Sequence, residues 1–200
     1  PDSRSHMLIA NPSGNYHFLK GIEPYSCGVI ADNGFEIVHA TLAQPADLKT
    51  GFKFIARYLE TLSLDISSLC AMQLRSPSPY SMQGFIDFNS SYCEILREWG
   101  LYVNGLNPIA RTNIAPQFKP PDTPQLHSFS YVIDNENVKQ KTLVVAGAGE
   151  LIEGLLEKDR IIRPGDTSDN AIAEKARYVL NVMTERLVGL GGNWDLINCI

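Results

Sequence analysis

Residues 35–74 read FEIVHATLAQPADLKTGFKFIARYLETLSLDISSLCAMQL, and this stretch decides the fold class. Phe35 to Thr41 is an apolar, strand-like run that follows a turn signal. Leu48, Phe52, Ile55, Leu59 and Leu62 then recur at steps of four and three. That spacing puts them on one stripe of a helix, with Lys49, Lys53, Arg57 and Glu60 mostly off it. Ser68 to Leu74 is apolar again and predicts a buried strand. Strand, amphipathic helix, strand is the plan of an α/β protein.

Working outward, Tyr16–Phe18 predicts a strand, Gly21–Pro24 a turn, and Tyr25–Ile30 a second strand. Asp32-Asn33-Gly34 is a strong hairpin signal, so Phe35–Thr41 is expected to fold back on it. Downstream, Ser76-Pro77-Ser78-Pro79 breaks the chain. Phe85, Phe88, Tyr92, Ile95 and Trp99 form a second helical stripe that Gly100 stops. A polar loop holds residues 107–113, and the proline-rich 117–124 cannot be a central strand. Leu126–Ile133 predicts a strand, and 134–141 a polar linker.

The pattern then restarts. Thr142–Ala146 predicts a strand. Ile172, Ala176, Val179, Met183, Leu187 and Leu190 form a helical stripe ended by Gly191-Gly192, and Trp194–Ile200 predicts a further strand. Residues 35–74 and 142–200 thus share an order of elements without sharing identity. The expected organisation is a cloning remnant over 1–7, a full unit over 8–135 and a partial second unit over 136–200. A partial unit leaves an open edge or apolar surface, so cover from the first unit or from another subunit is expected.

With 44% apolar and 20% charged residues in 200, a core of ordinary size can form. A net charge of −5 with basic residues scattered argues against a nucleic-acid partner. No apolar run approaches the roughly 20 residues of a membrane span. Cys27, Cys70, Cys93 and Cys199 form no CxxC pair and no ligand spacing with histidine, so reduced thiols in a cytoplasmic protein, and no metal site, are expected. Gly147-Ala148-Gly149 follows a strand, but Ile152 stands where a dinucleotide fingerprint needs its third glycine. His39, alternating with apolar neighbours, reads as a structural histidine. Arg111, between Ala110 and Thr112-Asn113, is the sharpest feature. Its fork matches a carboxylate bidentately, and the competing reading is a pair with an internal Asp or Glu.

Pro24-Tyr25-Ser26-x-Gly28, followed far downstream by Pro108-Ile109-Ala110-Arg111-Thr112, resembles the RidA/YjgF superfamily, also called the L-PSP endoribonuclease family. The element order agrees over about Tyr16 to Ile133. The resemblance implies a chorismate-mutase-like mixed β-sheet with two helices on one face, partly repeated here. It implies a homo-oligomer, a trimer first, and hydrolysis of a small enamine or imine carboxylate to a keto acid and ammonia without metal or organic cofactor. Carried over, Arg111 holds the carboxylate, Tyr25 lines the cleft, and Thr112 and Asn113 help place substrate or water.

Several residues depart from that pattern. Ala40-Thr41 stands for a Ser-Gly pair, Cys27 for a glutamine and Asn113 for a cysteine. The late strand has no glutamate; His127 or Glu150 is the candidate acid–base substitute. A non-catalytic protein that binds small carboxylates is therefore the second reading, and an endoribonuclease the third.

Overall fold

A computed structural model describes residues 7–152 and 161–200; all but Met7 of the expected remnant at 1–7 and part of the segment after Glu150 lie outside them. Eight strands and three helices are described: β1 (Leu8–Asn11), β2 (Tyr16–Leu19), β3 (Gly28–Ala31), β4 (Phe35–Asp47), α1 (Leu48–Thr61), β5 (Leu69–Arg75), α2 (Met82–Glu98), β6 (Ala110–Ile114), β7 (Gln125–Asp134), β8 (Leu143–Val145) and α3 (Asp169–Gly189). They form two four-stranded sheets, ordered β1-β2-β3-β8 and β4-β7-β5-β6. The protein is mixed α/β as expected, but the expected single sheet is two.

The helices start where side chains can satisfy their free N–H groups. Asp47 accepts from Thr50 N at 3.0 Å, and Ser81 accepts from Gly84 N at 3.1 Å. Both helices lie on one face of the β4-β7-β5-β6 sheet. Phe52, Ile55 and Leu59 of α1 and Tyr92, Cys93 and Leu96 of α2 share a core with Leu69, Met72, Leu74, Phe129 and Tyr131. Gly51 is what lets α1 approach so closely, because a Cβ there would stand 2.7 Å from Leu126 Cβ. The spacing-derived stripes of α1 and α2 fall on the core side, except that Leu62 is exposed and the buried face of α2 is centred on Tyr92, Cys93 and Leu96, with Phe88, Ile95 and Trp99 half-buried beside it.

The other face of that sheet receives the second sheet. Tyr16, Phe18 and Val29 pack against Cys70, Ala71, Ala110 and Val132. Tyr16 is fully buried and donates its hydroxyl to Leu69 O at 3.0 Å, which ties β2 to β5 across the interface. Outside, Leu19, Cys27 and Ile30 meet Leu190 just beyond α3. Side chains alternate along β2, so one strand serves both contacts.

Four expectations need correction. The turn at Asp32–Gly34 exists, with Phe35 N bonded to Asp32 O at 3.1 Å and Gly34 at φ +83°, but it joins strands of different sheets. β3 already has β2 and β8 as neighbours, and β4 pairs with β7, so no hairpin forms. The residues around Arg111 form a strand, β6, parallel to β5, because α2 supplies the crossover that a parallel pair needs. On α3 the buried side carries Ala171, Val182, Arg186 and Leu187 while Ile172 is exposed. That face is rotated because Arg186 Nη1 donates to Ala146 O and Gly147 O at 2.9 and 3.0 Å. Residues 194–200 hold one short 3₁₀ turn, Trp194–Leu196, and no strand. Residues 136–200 thus contribute β8 to the first sheet and α3 beside it. All four cysteines are free thiols, and only Cys199 is exposed. No described helix is long and apolar enough to cross a membrane.

Tyr16→Phe keeps the ring but leaves the buried Leu69 carbonyl without this partner. It is expected to lower unfolding free energy by about 1–3 kcal/mol in urea titrations, without changing the slope.

Candidate active site

Arg111 is the second residue of β6 and is 4% exposed. Residue alternation turns it to the helix side of the sheet with Met72, its neighbour on β5. There its guanidinium carbon lies 4.6 Å from the ring centroid of Tyr92, 5.1 Å from Tyr25 and 5.5 Å from Phe88. Three rings thus surround one cation. At about 0.5–2 kcal/mol each, such contacts offset much of the several kcal/mol that burying a charge costs. What the rings do not supply is hydrogen-bond acceptors. Arg111 Nη1 and the Tyr92 hydroxyl are both buried with no hydrogen-bond partner among the described residues. Among the described residues no carboxylate forms an ion pair with Arg111, so the competing reading of an internal pair finds no support there. Burial pulls the Arg111 pKa below the usual arginine value, with Tyr92 and Tyr25 opposing. Burial likewise pushes the Tyr92 phenol up, with Arg111 opposing.

Tyr25 reaches this place through a tightly fastened turn. Glu23 O accepts from Tyr102 Oη at 3.1 Å, Asn107 Nδ2 at 3.2 Å and Cys93 Sγ at 3.8 Å. Arg97 also pairs with the Glu23 carboxylate. Beyond the turn, Ser26 N donates to Ile109 O at 2.9 Å and Ser26 Oγ donates to Pro108 O at 3.0 Å. The segments Pro24-Tyr25-Ser26 and Pro108–Arg111, far apart in sequence, therefore lie side by side. The resemblance placed both segments in one cleft, and the fold puts them in direct contact.

The remaining residues singled out in the sequence divide between places. Asn113 shares the helix side with Arg111 and lines an open groove of about 480 Å³ with Ser76, Tyr80, Ser81, Phe85 and Leu151. Tyr80 links groove and cage, stacking on Phe88 with centroids 5.1 Å apart. Thr112 points to the other face, where its Oγ1 accepts from Gly147 N at 3.3 Å. His127 lies at an irregularity in β7 and contacts Ser128 Oγ at 3.3 Å; Ser128 in turn donates to Gln73. Burial, and then Arg75 and His39, lower the His127 pKa. None of these neighbours is shared with Arg111. The Glu150 carboxylate faces Lys175 of α3 at 3.7 Å. Among the described residues no group of three or more His, Cys, Asp or Glu is close enough to hold a metal ion.

Sequence reasoning missed Tyr80 and the second use of Phe88 and Tyr92. The latter two carried a signal, a helical stripe, that reads equally well as core. Tyr80 lies between the Ser-Pro break and the second helical stripe and belongs to no periodic pattern.

Comparison with known proteins bears on what this arrangement does. The family described as 2-aminomuconate deaminase CnbZ matches residues 8–199. A 2-amino-5-chloromuconate deaminase of Comamonas testosteroni is 37% identical over 189 residues, covering 94% of this chain and 75% of that protein. No solved structure matches the chain. These matches correct the RidA/YjgF resemblance: one family spans both stretches that had been read as a full and a partial RidA-like unit. The short Pro-Tyr-Ser and Pro-x-Ala-Arg segments are too few residues to fix a family. The trimer and the ribonuclease alternative rested on that resemblance and lose their support with it.

An anion reaching the cage would satisfy two orphaned donors at once. A small dicarboxylate such as fumarate, at 100 times its Kd, is expected to stabilise the protein by about 2.7 kcal/mol. That is a rise in Tm of several degrees, read by thermal-shift titration. Arg111→Met should abolish the shift.

Proposed function

The chain belongs to the 2-aminomuconate deaminase family CnbZ, and on that premise we propose that it hydrolyses a 2-aminomuconate-type enamine to the keto acid and ammonia, with Arg111 holding the carboxylate next to the reacting carbon. Family membership makes it a deaminase, a hydrolase. The single observation that carries the role of Arg111 is a guanidinium 4% exposed, ringed by Tyr25, Phe88 and Tyr92, with Nη1 unpartnered.

The chemistry fits such equipment. In the enamine the nitrogen lone pair is conjugated with the double bond and the carboxylate. A proton delivered to carbon converts C–N into C=N and makes that carbon electrophilic. Water adds to it, the carbinolamine transfers its hydroxyl proton to nitrogen, and the C–N bond breaks to give C=O and ammonia. A cation on the adjacent carboxylate removes negative charge from the electrophile and fixes its orientation. Tyr25 forms one wall of the cage, and the Tyr92 hydroxyl is a second donor to the carboxylate. Asn113 faces the groove into which the rest of the substrate would extend. Thr112 supports β6 from the opposite face. In this reading His127 and Glu150, whose neighbours are elsewhere, take no part in the reaction.

The four free thiols support a reducing, cytoplasmic setting. Ile114 (47% exposed) and Phe118 (88% exposed) lie on β6 and the loop that follows it, and such apolar exposure supports association of copies. Light scattering at micromolar concentration is expected to give a mass above that of one chain; a strict monomer would overturn the oligomer.

The test of function is ammonia release from 2-aminomuconate. Arg111→Ala loses a charge-assisted contact of about 1.5–3 kcal/mol, so kcat/KM should fall roughly 10- to 150-fold. Arg111→Lys should recover little, because an ammonium lacks the planar fork. His127→Gln should stay within about two-fold of wild type. Saturable binding of the enamine without ammonia release would instead establish the non-catalytic carboxylate-binding reading.

A further inference from the structure

The groove beside the Arg111 cage contains a wired set of polar groups. Ser76 Oγ lies 2.8 Å from Asn113 Oδ1 and 3.0 Å from Tyr80 Oη. Ser76 is 2% exposed, so water does not compete for its hydroxyl. A hydroxyl has one proton and can donate along only one of these contacts. Two arrangements satisfy the set. With the Asn113 oxygen towards Ser76, protons point from Tyr80 through Ser76 to Asn113, and the phenol oxygen offers lone pairs to the groove. With the Asn113 amide nitrogen towards Ser76, the direction reverses. Asn113 donates to Ser76, Ser76 donates to Tyr80, and the phenol O–H is released into the groove. Both arrangements leave Ser76 satisfied, so the chain can follow Tyr80 through a change of protonation.

Tyr80 adjoins the cage, stacking on its Phe88 wall with ring centroids 5.1 Å apart. It is also the one titratable side chain among the described residues lining the groove. Hydrolysis of an enamine needs an acid for carbon and then a base for water. Neither His127 nor Glu150 lines this groove.

We propose that Tyr80 is the acid–base catalyst of the deamination, with Ser76 and Asn113 as its positioning residues. This rests on the enamine-hydrolase reading above. In the first step the Tyr80 O–H bond breaks, its proton forms a C–H bond at the enamine carbon, and the nitrogen lone pair forms C=N. The phenolate left behind accepts the Ser76 hydrogen bond. In the second step a water oxygen bonds to the C=N carbon, the π pair returns to nitrogen, and the water proton goes to Tyr80. The neutral carbinolamine then passes its hydroxyl proton to nitrogen and expels ammonia. One enamine and one water yield one keto acid and one ammonia, and the phenol is restored.

Tyr80→Phe retains the ring stack and removes the hydroxyl. With 2-aminomuconate as substrate, kcat is expected to fall about 100-fold or more, the range of a lost general acid–base group. KM should stay within about three-fold, since Arg111 still holds the carboxylate. Ser76→Ala should lower kcat less and displace the alkaline limb of its pH profile, which a merely structural hydroxyl would not do. Tyr80→Phe with kcat within two-fold of wild type, while Arg111→Ala still collapses kcat/KM, overturns the role of Tyr80 and leaves the deaminase reading standing. Wild-type protein that releases no ammonia overturns both. Should Tyr80→Phe melt early, 3-fluorotyrosine at position 80 decides: a shift of the alkaline limb to lower pH supports the proposal, and an unmoved profile overturns it.

Discussion

A cation buried with no ion-pair partner among the described residues constrains everything around Arg111. Its cost is met by three aromatic faces, and those faces come from two separate parts of the chain. Phe88 and Tyr92 sit one turn apart on α2, so a single helix face supplies two walls. Tyr25 supplies the third from a turn that the Glu23 carbonyl, with its three donors, fastens beside α2. β6 holds the guanidinium itself because α2 lets it run parallel to β5. Loss of any of these anchors would expose the cation or remove a wall, so fold and site are one problem.

The second sheet matters to this site although it packs on the face of β5, β6 and β7 away from α2. By covering the far face of β5, β6 and β7 it fixes which side chains can point towards α2. Ala110 is buried against Tyr16, Phe18 and Val29, and Arg111, one residue on, must face the other way. Tyr16 secures the arrangement through its bond to Leu69 O. Thr112 then holds the segment after β8. The alternation that buries one residue in the sheet–sheet core turns the next towards the rings of α2.

The same alternation separates two polar regions. His39, Ser128, Ser130 and Gln73 bond to one another in pairs across β4, β7 and β5. Arg111, Tyr80, Ser76 and Asn113 gather on and beside the helix side. A histidine is an obvious acid–base candidate in a sequence, yet here the Arg111 cage and His39 belong to different faces of the sheet. The groove instead offers a phenol backed by a hydroxyl and an amide, groups whose hydrogen bonds can reverse without a charge being buried.

The sequence by itself determined the helices α1 and α2 and most strand positions, and it singled out Arg111, which the fold buries among three rings. Each of these depends on local physics: a period of 3.6 or 2, a cap, or a charge among apolar neighbours. It also linked Tyr25 with Arg111 through a family resemblance whose name was wrong but whose two segments do lie together. Only the tertiary structure decided the rest. The Asp32-Asn33-Gly34 turn formed, but pairing depends on which edges are free, and β3 found β2 and β8 instead of β4. The buried face of α3 turned towards Arg186 because backbone carbonyls at residues 146 and 147 needed donors. The faces of His127 and Tyr80 were illegible because a bulge shifts register by one residue, and a loop tyrosine has no period at all. Pattern fixes what a segment is; its neighbours fix what it meets.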